Sequence, residues 1–533
     1  MLERILGIWK ANNEMKEDIS ELIIDGNNIE FYSRCDEQMF PCTFVGKVQG
    51  DWYKVFSKGR IPNGLNKTLH NSRSYYVPYV LRQSEKPSSK LEIKDIEEVS
   101  FIIPEIIDWF SNNTVNVGIT GNQELFAVER KFKPLVLHEG NPYIEIRFES
   151  QSLNQTISVD KRTTFVVKIE PRLFIKYEKA MDFKHIESDI ECLMQFWGLM
   201  IGYVSTAEDI RIRFEGEVNK SQLYINQDLS YNLRMSQSIM NKPRTTYEIV
   251  GRKIGKYFTN WHSFYFEKRY EFIRHMYFAA NKFKNYFAEE LFLEYVKILE
   301  GYSLRETNDE ENAQKLKKTV EQHREEIRKL IFTNEGKSIF RSVFEEALTD
   351  WKFNSKHADN VAEWIANGYM NRISLETRIK KLDEAFFGIL AYNAIQIEKL
   401  QRKNSLVDII SENDLIKKFF KDIVSTRNYY SHYKVSDENI LEYMQLDPTI
   451  RSMKALIIAI LYSKMGMCRE RIQRILINDS ELCFQTNFLY KEEAEHILTK
   501  TKQPKCQEAE KRKQRFKKRR KKTYVRTKLK TDH

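Results

Sequence analysis

The chain has 533 residues, 41% of them hydrophobic, with 11 prolines and 19 glycines, which suits two or three packed domains and excludes a fibrous polymer. Its net charge of +11 sits almost wholly in residues 501–533, where 15 Lys/Arg face three acids (Glu508, Glu510 and Asp532). No Walker-type GxxxxGK[ST], no GxGxxG and no GxSxG occurs, so neither a nucleotide-driven motor nor a serine hydrolase is supported.

From about residue 20 to 250 the pattern is strand-rich. Trp52–Phe56, bounded by Ser57-Lys58-Gly59, reads as a strand, and Tyr143–Glu149 alternates apolar and charged residues as a half-buried strand does. Phe165–Ile169 is β-branched and is expected to end before Pro171, and Ile210–Glu215 repeats the alternation. Between these strands one helix is expected over about 183–203. There Ile186, Ile190, Leu193, Phe196, Trp197 and Met200 fall on one face. The most apolar run, Leu193–Val204, is too short to cross a bilayer. An antiparallel β domain with a packed helix is the reading, its strand order not legible.

From about 255 the period becomes helical. Trp261–Tyr302 is dense in aromatics, which suits a core or an inter-domain seam. Residues 305–330 read as a solvated, charged helix. Apolar-periodic stretches follow at about 336–350, 359–369, 374–402, 414–430 and 450–476, with Ser405 and Ser411 as N-caps. This half reads as a helical bundle. The tail from 501 carries like charges too dense to pack and is expected to be disordered.

The six cysteines (Cys35, Cys42, Cys192, Cys468, Cys483 and Cys506) lack CxxC spacing and a histidine-rich partner segment, so no metal and no cofactor is expected. His262, His275, His323 and His357 lack ligand spacing and read as structural. The start of the chain has no apolar signal segment. A cytoplasmic protein with reduced thiols is expected, with no membrane partner.

Chemistry concentrates in Arg427-Asn428-Tyr429-Tyr430-Ser431-His432, at the end of a helix that buries Ile416, Phe419, Phe420, Ile423 and Val424. An imidazole can move a proton at neutral pH, and a guanidinium can hold a phosphate that gains charge. Asn428 and His432, four apart, share a helix face, but Arg427 and His432 lie about 140° apart on a continuous helix. Either the helix ends or bends near Ser431, or two copies meet so that one site draws on both chains.

The run RNYYSH resembles the R-polar-x3-H signature of HEPN ribonucleases. Phe292–Tyr302 resembles the early helix of the ApeA-type HEPN domain, and Leu456–Met467 its closing helix. With a long β-rich part in front, residues 20–480 resemble the ApeA family of bacterial anti-phage proteins. The resemblance implies an α+β multidomain chain: a β-rich sensor domain with a packed helix (1–250), an α-helical HEPN bundle (255–500), and the disordered basic tail (501–533).

It also implies function: a metal-independent endoribonuclease of abortive infection. Its homodimer or higher even oligomer would cut RNA, with tRNA as the structured substrate class, on a phage-derived trigger. Arg427, Asn428 and His432 would be catalytic. Glu300 would supply the acidic residue that HEPN proteins often carry on an early helix, although Glu294 lies on the same helix. Tyr429 and Tyr433 could stack on bases, and Lys517, Lys518, Arg519 and Arg520 could track phosphates. The other reading is a non-catalytic RNA-binding or scaffold protein that dimerises through the bundle.

Overall fold

The computed structural model describes residues 2–306 and 374–482, apart from short intervening stretches, together with isolated positions between 307 and 373. The expected helices at 336–350 and 359–369, most of 305–330, the cap at Ser405 and the tail lie outside the described residues.

The N-terminal half is built on one antiparallel sheet. In chain order its strands are β1 (Leu2–Ala11), β2 (Glu17–Asp25), β3 (Asn28–Ser33), β4 (Cys42–Val48), β5 (Asp51–Ser57) and β6 (Gly59–Leu65). β7 (Arg73–Tyr76), β8 (Tyr79–Gln83) and β9 (Ile96–Ile102) follow, then β10 (Val115–Ile119) and β11 (Leu125–Glu129), which pair only with each other. The last are β12 (Leu135–His138), β13 (Tyr143–Gln155), β14 (Thr164–Met181), β15 (Glu208–Phe214) and β16 (Ser221–Ile225). Among the described residues fourteen of these join in the order β12-β13-β14-β9-β15-β16-β8-β5-β4-β1-β2-β3-β7-β6.

The strands expected at 52–56, 143–149 and 210–215 are β5, β13 and β15. β14 corrects the expectation at Pro171: the strand runs through it, opposite Phe148 of β13. The last pairing of β14 with β9 is Arg172–Ile102, so Pro171 has no β9 partner in register and its missing N–H is tolerated, as at an edge.

Among the described residues two apolar cores result. Trp9, Phe31, Phe44, Tyr53 and Tyr75 form a smaller one within β1–β8. The larger one begins under β9, β13, β14 and β15 and runs without interruption into the helical half. At its centre is the expected helix. After the short α1 (Ile106–Phe110), α2 spans Phe183–Ile201. Asp182 caps its start, its carboxylate accepting from His185 N–H at 2.9 Å, and Gly202 ends it at φ 99°. From Cys192 to its end the expected apolar face widens to the whole circumference, because Cys192, Leu193, Met194, Phe196, Trp197 and Leu199 are all fully buried, while Lys184 and His185 in the first turn stay exposed. One side of α2 meets the sheet and the other meets helices.

Those helices are α3 (Tyr247–Val250), α4 (Ile254–Phe266), α5 (Glu271–Lys282), α6 (Ala288–Glu306), α7 (Leu375–Ala385), α8 (Ile389–Arg402), α9 (Glu412–His432), α10 (Tyr443–Lys464) and α11 (Arg469–Asn478). Two stretches expected as single helices are each two. The 374–402 stretch breaks at Phe387 (φ 83°) and Gly388 (φ 67°), and Asp383 restarts the chain by accepting Leu390 N–H at 2.8 Å and Ala391 N–H at 2.9 Å. The 450–476 stretch breaks at Gly466 (φ 78°), where an added Cβ would lie 2.5 Å from Asn260 Nδ2.

The aromatic stretch is the seam between sheet and bundle. Trp261, Phe264, Tyr265, Tyr270, Tyr277 and Phe278 are buried, while Phe266 and Phe272 remain exposed. Trp261 Nε1 donates to Cys192 O at 3.1 Å, Tyr462 Oη to Leu199 O at 2.7 Å, and Asn260 Nδ2 to Met465 O at 3.0 Å. Arg244 pairs with Asp479 in the same interior. Gly255 lets α4 approach β12, since a Cβ there would meet Val136 O at 2.9 Å. Among the described residues Cys42, Cys192 and Cys468 form no disulfide. Among the described residues no helix is long and apolar enough to cross a membrane.

The seam holds a histidine pair with a pH consequence. His138 and His262 stack at 4.9 Å, with His138 Nδ1 3.3 Å from Thr259 Oγ1 and His262 Nε2 3.7 Å from Asp189 Oδ1. Burial, and then the neighbouring His262, hold the His138 pKa below its ordinary 6.5, with Asp189 opposing. An unfolded chain therefore takes up the proton first, so stability is full above about pH 6.5 and falls as pH drops through the lowered folded value. Melting temperature is expected to be lower at pH 5.5 than at 7.5, and His138→Gln should flatten that difference.

Candidate active site

α9 is amphipathic by spacing. Phe419, Phe420, Ile423 and Thr426 point inward, and Ile416 and Val424 are half-buried. Ser411 caps its start, its Oγ accepting from Asp414 N–H at 3.3 Å. The helix runs without a break to His432, its last residue. The helix continues past Ser431, and the residues directly after His432 lie outside the described residues.

Thr426 is the residue that sequence reading missed. It is fully buried, its Oγ1 donates to Asp422 O at 2.7 Å, and it accepts Leu441 N–H at 2.8 Å. The chain that leaves α9 is thereby tied back to the helix one residue before Arg427, just ahead of α10, which a Glu442/Gln445 capping box starts. The available signal was a threonine in the 419/423/426 inward stripe. Thr426→Val keeps the shape and removes both hydrogen bonds. It is expected to cost about 1–3 kcal/mol in a urea titration, because Leu441 N–H is left buried without its acceptor.

Arg427 leaves the helix toward α6. Its Nη1 donates to Asn428 Oδ1 at 3.1 Å, and its Nη2 lies 3.7 Å from Glu300 Oε2. Both side chains of that pair are roughly 30% exposed (28% and 30%), so the contact is long, wet and weak, in the range of about 0–1 kcal/mol. Glu294, the other acid considered on this helix, turns away to Lys297 at 2.8 Å.

Tyr429 and Tyr430 meet edge-to-face at 5.3 Å, both partly exposed. Tyr430 also packs on the main core, and its hydroxyl pKa is pushed up by burial, then by Glu289 and Tyr429. The structure thus brings Arg427, Asn428 and Glu300 together at one end of α9, beside Tyr429. The backbone of His432 closes the helix, but its side chain lies outside the described residues, as do Tyr433, Lys517, Lys518, Arg519 and Arg520.

Comparison with curated proteins and with solved structures gave no match. Family models do match. Apea-like HEPN covers residues 293–471, which includes the Glu300-bearing part of α6, all of α9 and α10, and the start of α11. ApeA N-terminal domain 1 covers residues 4–261, from β1 into α4. With both matches in this order along one polypeptide, the chain belongs to the ApeA-like proteins that end in a HEPN domain.

Proposed function

We propose that the protein is a metal-independent endoribonuclease of anti-phage defence, acting as a cytoplasmic homodimer on structured RNA with tRNA as its substrate class. The observation that carries the reading is the partly exposed Arg427 guanidinium on the helix that His432 ends, beside Asn428 of that helix and Glu300 of α6, within a HEPN-matched bundle. His432 takes the proton of a ribose 2′-OH and returns one to the leaving 5′ oxygen. Arg427 forks onto the non-bridging phosphate oxygens as negative charge builds, and Asn428 and Glu300 hold its orientation. Because the nucleophile is the 2′-OH, DNA is not a substrate. Because α9 is continuous to His432, positions 427 and 432 lie about 140° apart around the helix axis, which supports a site completed by a second copy.

The N-terminal sheet restrains this activity until a phage-derived trigger arrives, and the basic tail adds salt-sensitive attraction to RNA. Tyr429 and Tyr433 offer rings on which an unstacked base can lie. The test is end-mapping of RNA from cells expressing the chain and its His432→Ala variant. New 2′,3′-cyclic phosphate and 5′-hydroxyl ends are expected with the parent, insensitive to chelator in a purified reaction, and absent with the variant. RNA binding without new ends would leave the scaffold reading in its place.

A further inference from the structure

The outer side of α9 carries a row of lysines that the cleavage chemistry does not use. Lys417, Lys418 and Lys421 are all exposed. Between Leu415 and Thr426 they stand against one acid, the half-buried Asp422, so this stretch is positive by three charges less one. Asp422 lies within electrostatic reach of Lys418 and Lys421, although burial is the larger influence and pushes its carboxyl up. Asp414, one turn before the row, is engaged by Ser411, whose Oγ donates to its Oδ2 at 2.6 Å.

Rotation about the axis decides what this row leads to. α9 is continuous from Glu412 to His432, so 100° per residue applies throughout. Lys417 and Lys421 then each fall within about 20° of Asn428, and Lys418 within about 20° of Tyr429. Lys421 sits ~10 Å along the axis from Asn428, and Lys417 ~6 Å farther on, close to the separation of successive phosphates along a strand. Any amphipathic helix has a charged face, but this one runs into the residues beside the Arg427 guanidinium. An isologous contact centred on the row would set lysine against lysine, so a second copy is a poor occupant and a polyanion a good one.

We propose that Lys417 and Lys421 form a phosphate track, holding an RNA strand at backbone positions about two and three nucleotides from the phosphate at Arg427, with Lys418 beside the base that lies on Tyr429. The track rests on the RNA-cleaving reading of this end of α9 and extends it to the strand that flanks the cut.

The test measures binding apart from cleavage. A single-stranded 2′-O-methyl oligonucleotide lacks the attacking hydroxyl, so fluorescence anisotropy with the full chain reads affinity alone. The Lys417→Ala/Lys421→Ala variant is expected to bind about tenfold more weakly at low salt, and its log–log salt slope should be shallower by about 1.4, or 0.7 for each lost single-strand phosphate contact. Lys179→Ala/Lys184→Ala, which removes two exposed lysines from the N-terminal half, should keep the parent's affinity and slope. With cleavable RNA, the concentration giving half the maximal single-turnover rate should rise by the same factor in the α9 variant. An affinity and slope equal to the parent's overturn the track, as does an equal loss in the Lys179/Lys184 variant, which would reduce the effect to net charge. A parent that binds but never cleaves removes the nuclease reading, while the anisotropy comparison still decides the track.

Discussion

Replacing Arg427 with alanine is expected to reduce single-turnover RNA cleavage by about 100- to 1,000-fold, the usual cost of removing one charged donor from a developing oxyanion. The fold should survive. Arg427 is 28% exposed, and its contact to Glu300 at 3.7 Å contributes little to stability. Arg427→Lys should recover little activity, because an ammonium cannot fork onto two phosphate oxygens. Glu300→Gln is expected to lower cleavage by about tenfold through lost orientation of the guanidinium rather than lost charge. Parallel circular-dichroism melts separate these effects from unfolding. An Arg427→Ala protein that cleaves like its parent, with the same melt, would remove the guanidinium from the mechanism.

The largest stability effect is expected at the pair between Arg244 and Asp479. Both side chains are nearly sealed from solvent, at 1% and 4% exposure, and they join the segment after α2 to the end of α11. Arg244 and Thr245 also bond through their N–H groups to Ile201 O and Met200 O, each at 2.8 Å. Asp479→Ala leaves a guanidinium in the interior without that carboxylate and should cost about 3–5 kcal/mol. Replacing both partners with leucine and methionine should cost markedly less, because neither charge is then stranded. Urea midpoints of Arg244→Met, Asp479→Leu and the variant carrying both read the coupling directly. A shift below about 1 kcal/mol for Asp479→Ala would mean that water reaches the pair.

What was legible in the sequence was local periodicity. Tyr143–Glu149 and Ile210–Glu215 alternate, 183–203 and 414–430 repeat at helical spacing, and all four formed the expected elements. Breaks governed by backbone angles at single residues were less legible, as at Phe387-Gly388 and Gly466. Pro171 misled because its tolerance depends on where a neighbouring strand stops, which is a tertiary fact. The same holds at the site. The RNxxxH spacing was readable, but that Glu300 rather than Glu294 faces Arg427, and that Thr426 ties down the chain after His432, depend on how α6, α9 and the approach to α10 meet.

The burial of the second half of α2 on every side bears on how such chains can be rebuilt by recombination. A junction drawn between strands and bundle would have to match Cys192, Leu199 and Met200 to Trp261, Tyr462 and Thr245 at once, since backbone carbonyls of one set accept from the other. Chimeras that swap front ends between relatives should therefore be soluble only when Phe183–Ile201 travels with the helices it touches or when those contact residues are already shared.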